Sequence, residues 1–581
     1  MAIDQVTTEV INHRFIATVD EMMATLVKTS YSPNIKERRD CSVAAFDARG
    51  DLIALNAIGP IHLGSLLGMV QNLTQRFPLG TLKPGDAFLT NDPYVGGGSH
   101  LPDLTITSPV FADGNLVAFV SSLAHHSDIG GKAAGSESAD CTSIFQEGLR
   151  IPPVKFLDQG RLCQDIFDIV LLNSRTPRER DGDLKAQLAS NAIGIRRVTE
   201  TYSRFGTDTV LAGIKALLDY SEARTRAEIA KLPDGTYKNE DFLDSDGINE
   251  DLIPLKVAIT ICGNRIHFDF TGVAPQVGGA RNMPMIATLA CVYYAVKVIA
   301  DPTLPPNAGY FRAIDVTIPP NTVLNSSPPA AVGDRVATAN IVGDLLIGAF
   351  AKVVPDRVMA GCGPLRGLIF SGIDPRRNEF FVDYETYAGA SGALLDQDGK
   401  DAIRVHVSGS GNLPIESVEQ EFPLTVGLYE LIQDSGGPGK FRGGLATRRD
   451  VTNWAEQARI SGRGLREVRG SPGLFGGEPG RTGRFYLHPA TDRETKLSGS
   501  FSELSVAVGE TIRVETPSGA GYGNSLQRDS DRVLADVIAG KVTVEGACRD
   551  YGVVIFDGNV NVERTIAKRR EMSERRGDHG C

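Results

Sequence analysis

Long apolar runs are missing from this sequence. No stretch approaches twenty consecutive apolar residues, so a membrane-spanning helix is not expected. An excess of positive charge is missing too: the formal net charge is -11, whereas phosphate binding requires a basic face. The first residues lack the basic and then apolar pattern of a secretory signal. We therefore expect a cytoplasmic protein that binds neither nucleic acid nor a membrane.

Paired cysteines and nucleotide motifs are also missing. The eight cysteines are scattered and never form a CxxC pair, which predicts reduced thiols rather than a disulfide framework or a zinc knuckle. Cys41 follows the charged run 36–40, so a catalytic thiol there stays an alternative, although flanking charges of both signs do not clearly stabilise a thiolate. The glycine run 96–98 matches neither a P-loop nor a strand-led GxGxxG. No ATP site is therefore expected in this chain.

Helical and strand patterns are mixed along the chain. Residues 6–29 have apolar positions at helical spacing, and further helical patterns cover 183–231, 284–300 and 335–353. Three β-hairpins are predicted, with the strand pairs 42–46 and 52–55, 110–111 and 116–120, and 257–261 and 265–268. Because strict βαβ alternation is lacking, we predict an α+β fold, a large multi-layer mixed α/β subunit.

Composition divides the chain into four predicted segments. Glycine and proline make up about 16% of the residues, above the usual level of roughly 12%, and they concentrate toward the C-terminus. We predict an N-terminal domain at 1–245 that contains the candidate metal-site residues, an α/β middle domain at 246–425 and a Gly-rich β and loop region at 426–560. The charged tail, 561–581, has few apolar residues from 565 onward and is expected to be disordered or bound to a partner.

Histidine is scarce, yet three of the nine histidines fall close together: His100, His125 and His126. His100 and Asp103 are separated by a proline and can present both side chains to one point from a turn. The strand-like run 116–123 then returns and ends at the two adjacent histidines. Imidazole and carboxylate groups suit zinc, manganese or iron(II), and three ligands with an open position are typical of a catalytic site.

The adjacent histidines cannot easily share one metal. Neighbouring side chains of an extended strand point to opposite faces, so one of the pair is the third ligand and the other contacts the ligands or the substrate. A plainer alternative is that these histidines are hydrogen-bonded polar residues at a strand end.

Four segments of the sequence resemble the hydantoinase B/oxoprolinase family. They are ERRDCS at 37–42, the string from NDPY at 91–94 through HLPD at 100–103, HHSDIGG at 125–131 and GGPGKFRGG at 436–444. The segments extend from near the N-terminus to beyond residue 440, so the resemblance covers most of the chain. It implies the B-type subunit of an ATP-dependent cyclic-amide hydrolase of the hydantoinase, 5-oxoprolinase or caprolactamase type.

The resemblance also implies cofactors and a partner. An A-type subunit would bind ATP and magnesium, which agrees with the missing nucleotide motif, and both chains would assemble as a heterotetramer or a larger hetero-oligomer. One divalent metal, zinc or manganese or else iron, is implied at His100, Asp103 and His125, with Asp40 as a fourth ligand. The partner would phosphorylate the amide oxygen, and metal-activated water would open the ring. As working hypotheses, Asp40 or Asp128 takes the proton and His126 stabilises the oxyanion.

Two other functions stay open. A related subunit occurs in ATP-dependent ketone carboxylases, although the length of this chain favours the hydrolase. A non-catalytic scaffold for the A-type subunit is the second alternative, and it would keep normal turnover when the metal ligands are changed.

Several charged residues outside these motifs have simpler interpretations. Lys440 and Arg442 could hold a phosphate or carboxylate, but a structural turn or a subunit contact is favoured. Arg463, Arg466 and Arg469 recur every three residues, which fits an interface or a solvated face, and we favour the solvated face. The pair at 334–335 precedes a helical pattern and predicts an N-cap rather than a catalytic group.

Overall fold

The structure is a computed structural model that describes residues 4–577. Helices and mostly antiparallel sheets are interleaved along the chain, so the predicted α+β class is confirmed. Within the described residues, no helix combines the length and the apolar character that crossing a membrane requires.

The first sheet carries the residues of interest. Its seven strands lie in the order β2-β1-β5-β4-β3-β6-β7, and every neighbouring pair is antiparallel. The strands are β1 (Cys41–Asp47), β2 (Leu52–Ala57), β3 (Ala87–Thr90), β4 (Asp103–Ala112), β5 (Asn115–His125), β6 (Val154–Asp158) and β7 (Arg161–Leu162). The helices around it are α1 (Gln5–Thr29), α2 (Pro33–Lys36), α3 (Ile61–Leu66), α4 (Met69–Arg76), α5 (Gln164–Leu172), α6 (Pro177–Phe205) and α7 (Thr207–Ile229).

The two faces of this sheet pack against different layers. Along β5, Val120 and Ala124 join a core with α1, α6 and α7, whereas Phe119 and Leu123 join a second core on the opposite face. This alternation is the period of two that an extended strand imposes on its side chains. The same alternation places the side chains of His125 and His126 on opposite faces of the sheet.

The second core continues into a four-stranded sheet with the order β11-β10-β9-β8. Its strands are β8 (Gly235–Leu243), β9 (Ile253–Cys262), β10 (Arg265–Asp269) and β11 (Ile314–Thr317), and its helices are α8 (Met285–Ala300), α9 (Ala308–Phe311) and α10 (Arg335–Phe350). Helix α10 is buried along its whole length except at Gly348. The three predicted hairpins and the predicted helices are confirmed, with Gly206 separating α6 from α7.

The C-terminal region contains two larger sheets and a two-stranded sheet formed by β21 and β22. Of the larger sheets, one has the order β13-β12-β16-β19 and the other β14-β15-β20-β17-β18, and a shared apolar core lies between them. The remaining elements are β12 (Arg366–Asp374), β13 (Glu379–Tyr387), α11 (Ile415–Glu421), β14 (Leu424–Leu431), β15 (Thr447–Asn453), β16 (Glu456–Arg463), β17 (Arg484–Leu487), β18 (Thr495–Leu497), β19 (Ser500–Ser505), β20 (Thr511–Glu515), α12 (Ser530–Ile538), α13 (Val544–Tyr551), β21 (Ile555–Phe556), β22 (Asn559–Val560) and α14 (Val562–Gly577).

The C-terminal glycines let backbone segments approach each other closely. A Cβ atom at Gly443 would lie 2.0 Å from the carbonyl oxygen of Gly519, which no larger residue tolerates. Gly519 in turn donates its N–H to the carbonyl of Gly444 at 3.0 Å. The glycine runs therefore build a packed backbone layer.

The charged tail is largely helical in the structure. Most of the charged tail forms helix α14, whose Arg569 donates to the carbonyls of Tyr551 and Arg528, so disorder is the wrong prediction for this part. Residues 578–581 lie outside the described residues. Position 245 lies between the paired strands β8 and β9, and the domain boundaries stay predictions.

Candidate metal centre

Strand register brings the predicted ligands to one end of the first sheet. Asp103 begins β4, His125 ends β5, and the two residues are directly paired. Asp40 immediately precedes β1, and its carbonyl oxygen accepts a hydrogen bond of 2.9 Å from the His125 N–H. His100 lies in the turn before β4. The hairpin therefore places residues more than twenty positions apart at a single point.

These side chains form a compact buried group. His100, Asp103 and His125 each offer a ligand atom within 4.8 Å of the others, and all three residues are buried. The Nε2 atom of His100 lies 3.2 Å from Oδ1 of Asp103. The turn and the returning strand meet as the sequence pattern predicts.

Asp103 is held so that one oxygen faces the group. Its Oδ2 accepts hydrogen bonds from the Ser99 N–H at 3.1 Å, the Ser99 hydroxyl at 2.9 Å and Arg335 at 3.3 Å. Its Oδ1 is directed instead toward His100 and His62. Fixing one carboxylate oxygen in this way orients the other for a metal.

Protonation in this group suits a cation. Burial, followed by Arg335, lowers the pKa of His100, and burial, followed by His100, lowers the pKa of His125 well below its usual value. Burial acts to raise the pKa of Asp103, but His100 and Arg335 outweigh it and hold that pKa well below its usual value. At neutral pH the group therefore offers two neutral imidazoles and a carboxylate, a donor set that fits zinc, manganese or iron(II).

Asp40 lies at the edge of the group. Its Oδ1 is 3.7 Å from Nε2 of His62, and its side chain is 15% exposed, whereas Asp103 is fully buried. Burial acts to raise the pKa of Asp40, but His125, His62 and Arg38 outweigh it and lower the pKa. Asp40 is thus an ionised carboxylate placed between the buried group and the adjoining cavity, and both predicted roles for it stay proposals.

Two members of the centre were not predicted from the sequence. His62, on α3, has Nδ1 2.8 Å from the Ser42 hydroxyl, which turns Nε2 toward Asp40 and Asp103. Glu137 has Oε1 2.8 Å from Nδ1 of His100 and 3.5 Å from Nε2 of His125. Neither residue has a motif or a spacing that connects it to the histidines, so only the tertiary structure reveals them.

A surrounding shell of buried groups positions Glu137. The Tyr384 hydroxyl donates to its Oε2 at 2.8 Å, and Arg463 forms an ion pair with the same oxygen. Arg335 lies 3.8 Å from its Oε1. A carboxylate that contacts a ligand histidine in this way typically tunes metal affinity by about 10–100-fold.

A small cavity of about 30 Å³ reaches this centre, enough to hold water but too small for a ring-sized substrate without movement of its walls. Its polar lining comes from the centre on one side and from a loop at 404–410 on the other. The lining side chains that matter here are Asp40, His62, His125, Arg335, Tyr384 and Arg404.

The other two predicted catalytic residues lie elsewhere. His126 points to the opposite face of β5, where its Nε2 lies 3.0 Å from Oε1 of Gln187 on α6. Asp128 accepts hydrogen bonds from the backbone of Gly130 and Gly135 and pairs with Arg175 at 2.8 Å, so it organises the following loop. The structure therefore brings neither residue to His100, Asp103 and His125.

Several simpler interpretations need correction. Arg463 and Arg466 have side chains only 4% exposed, so the solvated face is wrong for both, and Arg469 alone of the three is exposed. Asp334 stands at the N-cap position of α10 but makes no capping hydrogen bond, because it pairs with Arg281 at 3.1 Å.

The favoured interpretations of two other residues hold. Arg442 is buried and pairs with Asp536 at 3.3 Å, so the structural alternative applies to it. Cys41 is fully buried, and burial, followed by Asp40, raises the pKa of its thiol, which disfavours a catalytic thiolate.

The chain is similar to known proteins over most of its length. The family described as hydantoinase B/oxoprolinase matches residues 4–525. The caprolactamase subunit beta of Pseudomonas jessenii is 32% identical over 576 residues, covering 96% of this chain and 97% of that subunit. The crystal structure of ATP-dependent caprolactamase from the same species matches with a TM-score of 0.89 and 30% identity, over 98% of this chain and 100% of that chain. A nucleotide-free acetone carboxylase structure has a TM-score of 0.93 at 20% identity, over 100% of this chain and 84% of that chain, which shows a shared fold.

Proposed function

Because the chain belongs to the hydantoinase B/oxoprolinase family, we propose that it is the B-type subunit of an ATP-dependent cyclic-amide hydrolase. The observation that supports this most directly is the buried group of His100, Asp103 and His125 beside a polar cavity. An A-type partner would bind ATP and magnesium and activate the substrate, and this chain would open the ring. The substrate class is a hydantoin, 5-oxoproline or a larger lactam.

The proposed sequence of phosphorylation by the partner and hydrolysis by this chain follows from the stability of the amide bond. A cyclic amide is stabilised by resonance, so water attacks it slowly at neutral pH. Transfer of a phosphoryl group to the amide oxygen makes the carbonyl carbon electrophilic and creates a leaving group. Addition of one water to that carbon and cleavage of the C–N bond give a free amine and an acyl phosphate, and a second water then cleaves the acyl phosphate to the carboxylate and inorganic phosphate.

The residues of the centre have distinct proposed roles. A divalent cation, if bound by His100, Asp103 and His125, would supply Lewis acidity that lowers the pKa of water toward about 7 or polarises the substrate oxygen. Asp40, ionised and facing the cavity, accepts the proton of the attacking water. Glu137 holds the two imidazoles in place. Because His126 and Asp128 contact other elements, we assign them positioning roles outside the reacting group.

We assign binding of the substrate's anionic group to Arg404. It lines the cavity, donates to the Ser410 hydroxyl at 2.7 Å and to Oδ1 of Asn412 at 3.1 Å, and has a buried Nε without a partner. Within residues 4–577 it forms hydrogen bonds but no ion pair. Burial and the neighbouring Arg38 lower the pKa of Arg404 to about 10, so it keeps its charge at pH 7. A half-buried cation with no ion-pair partner is a natural partner for a phosphate or carboxylate.

Replacing Arg404 with glutamine is therefore expected to raise KM for the activated substrate. A hydrogen bond to a charged group contributes about 1.5–3 kcal/mol, which corresponds to a rise of about 10–100-fold. Steady-state kinetics of the complex with its partner would measure this change. Lys400→Gln is the matched control, because Lys400 is an exposed cation on the same loop. The KM of this variant should equal that of the wild type. An equal rise in both variants would contradict the assignment.

The overall proposal is tested with a substrate panel. The chain, co-purified with an A-type subunit, is assayed for ATP-dependent turnover of hydantoins, 5-oxoproline, caprolactam, and acetone with bicarbonate. Ring opening of one cyclic amide is the expected result. Bicarbonate fixation without ring opening would replace the hydrolase with a ketone carboxylase. Normal ring opening by metal-ligand variants would leave only a scaffold role for this chain.

A further inference from the structure

A second buried group of metal-ligating residue types lies apart from the first centre. Asp344 on α10, Cys362 in the loop before β12 and His406 in the loop at 404–410 offer ligand atoms within 4.8 Å of one another. All three residues are buried, and Nε2 of His406 lies 2.8 Å from Oδ1 of Asp344. Asp344 follows Arg335 by nine residues on the same helix, a rise of about 13 Å, so this group is separate from the His100 centre.

The backbone around His406 is built to place its ring here. His406 has a φ of 61°, a left-handed conformation that costs a residue other than glycine about 1–3 kcal/mol. A Cβ atom at Gly343 would lie 2.6 Å from Cγ of His406, so glycine at that helix position makes room for the imidazole. The left-handed backbone at His406 and the missing side chain at Gly343 together allow this ring to pack against α10.

The two ring nitrogens of His406 have different surroundings. Nε2 is the nitrogen that faces Asp344, so it is the atom that would bind a cation shared with that carboxylate. Nδ1 is buried on the other edge of the ring, and the Cys362 side chain lies close enough to interact with the imidazole. The sulfur of Cys362 lies 3.2 Å from the Met359 thioether, which places polarisable sulfur atoms on the same side of the group.

Charge balance is consistent with a divalent cation. Arg466 donates to Asp241 at 2.6 Å and to Asp344 at 3.1 Å, so this triplet carries one net negative charge. A Cys362 thiolate adds a second, and a divalent cation bound by neutral His406 would neutralise both. A neutral thiol with a protonated imidazole gives the same balance, so the metal content itself must decide between the two.

We propose that Asp344, Cys362 and His406 form a second binding site for a thiophilic divalent cation of the zinc class. Thiolate and imidazole ligands favour zinc over magnesium, calcium or manganese. His406 precedes Val407, whose carbonyl accepts the Ile61 N–H at 3.1 Å, and both Ile61 and Val407 line the cavity of the first centre. The ion would therefore fasten the cavity wall to α10.

The test is metal content and spectroscopy of the full-length chain. The protein is loaded with Zn²⁺ or Co²⁺, dialysed and measured by elemental analysis and near-ultraviolet absorbance. Wild type is expected to hold two equivalents and, with cobalt, to show a thiolate-to-metal charge-transfer band. Cys362→Ser should lose one equivalent and the band, whereas His125→Ala should lose one equivalent and keep the band.

A buried cysteine outside the group provides the control. Cys291 on α8 is fully buried and its thiol donates to the Ala339 carbonyl, so Cys291→Ser should keep both equivalents and the band. Absence of the band from cobalt-loaded wild type would overturn the proposal, even if Cys362→Ser failed to fold. Equal metal content in wild type and Cys362→Ser would overturn it as well.

Discussion

Replacing His125 with alanine is expected to remove the catalytic metal and to lower kcat for ring opening by about a thousandfold or more. His125 is one of three residues whose ligand atoms lie within 4.8 Å, and its loss leaves only His100 and Asp103 of that group. Lewis-acid stabilisation contributes several kcal/mol to a transition state, and each 1.36 kcal/mol is about tenfold in rate. Elemental analysis of the purified chain and turnover of the complex with its partner check the two parts of this prediction.

The adjacent histidine provides the matched control. His126 is equally buried, but it points across the sheet to Gln187, so His126→Gln should keep the metal and near-normal turnover. Its cost should be a lower stability of about 1 kcal/mol from the lost hydrogen bond, visible as a lower melting temperature. Full activity in a metal-free His125→Ala chain would refute the proposed chemistry. Loss of turnover in His126→Gln with metal retained would restore an oxyanion role for that residue.

The part of the centre that the sequence predicts is the part held by local structure. His100 and Asp103 share a turn, and the hairpin β4–β5 pairs Asp103 with His125 through hydrogen bonds that any β-hairpin forms. Strand alternation also predicts that only one of the two adjacent histidines can face the group, and the structure places them on opposite faces. The choice of His125 over His126 as the third ligand rests on the resemblance to the family. Periodicity in a single sequence does not show which side of the strand is directed toward α10.

The part that the sequence does not predict depends on contacts between distant elements. His62 comes from α3, Glu137 from a loop and Arg335 from the start of α10, and none of them has a spacing that relates it to the turn at His100. A charged pair before a helix is usually a cap, so the sequence predicts a capping role at 334–335, whereas the structure pairs Arg335 with Asp103 and Glu137. The fold class, by contrast, follows from periodicity alone, because hairpins and amphipathic helices are each recognisable without their tertiary partners.

Replacing Arg466 with methionine is expected to destabilise the chain by about 3–5 kcal/mol, the usual cost of leaving buried charges without their partner. Its guanidinium donates to both oxygens of Asp241, at 2.9 and 2.6 Å, and to Asp344 at 3.1 Å. Asp241 lies near the end of β8 and Asp344 on α10, so the Arg466 side chain connects the β11-β10-β9-β8 sheet to α10. Methionine keeps most of the apolar stem but leaves the buried Asp241 carboxylate without a cation and removes one partner of Asp344.

The repeating arginines supply the control for this change. Arg469 follows Arg466 by three residues, yet it is exposed, with its guanidinium 5.1 Å from the Phe242 ring centroid, so Arg469→Met should cost at most about 1 kcal/mol. Thermal unfolding of both variants by circular dichroism would separate them, since Arg466→Met should lower the melting temperature by several degrees and Arg469→Met only slightly. Equal shifts would mean that the ion pairs of Arg466 add no more stability than a surface contact. We expect unequal shifts because only Arg466 is buried together with its carboxylates. The regular three-residue spacing therefore does not imply that the two arginines contribute equally to stability.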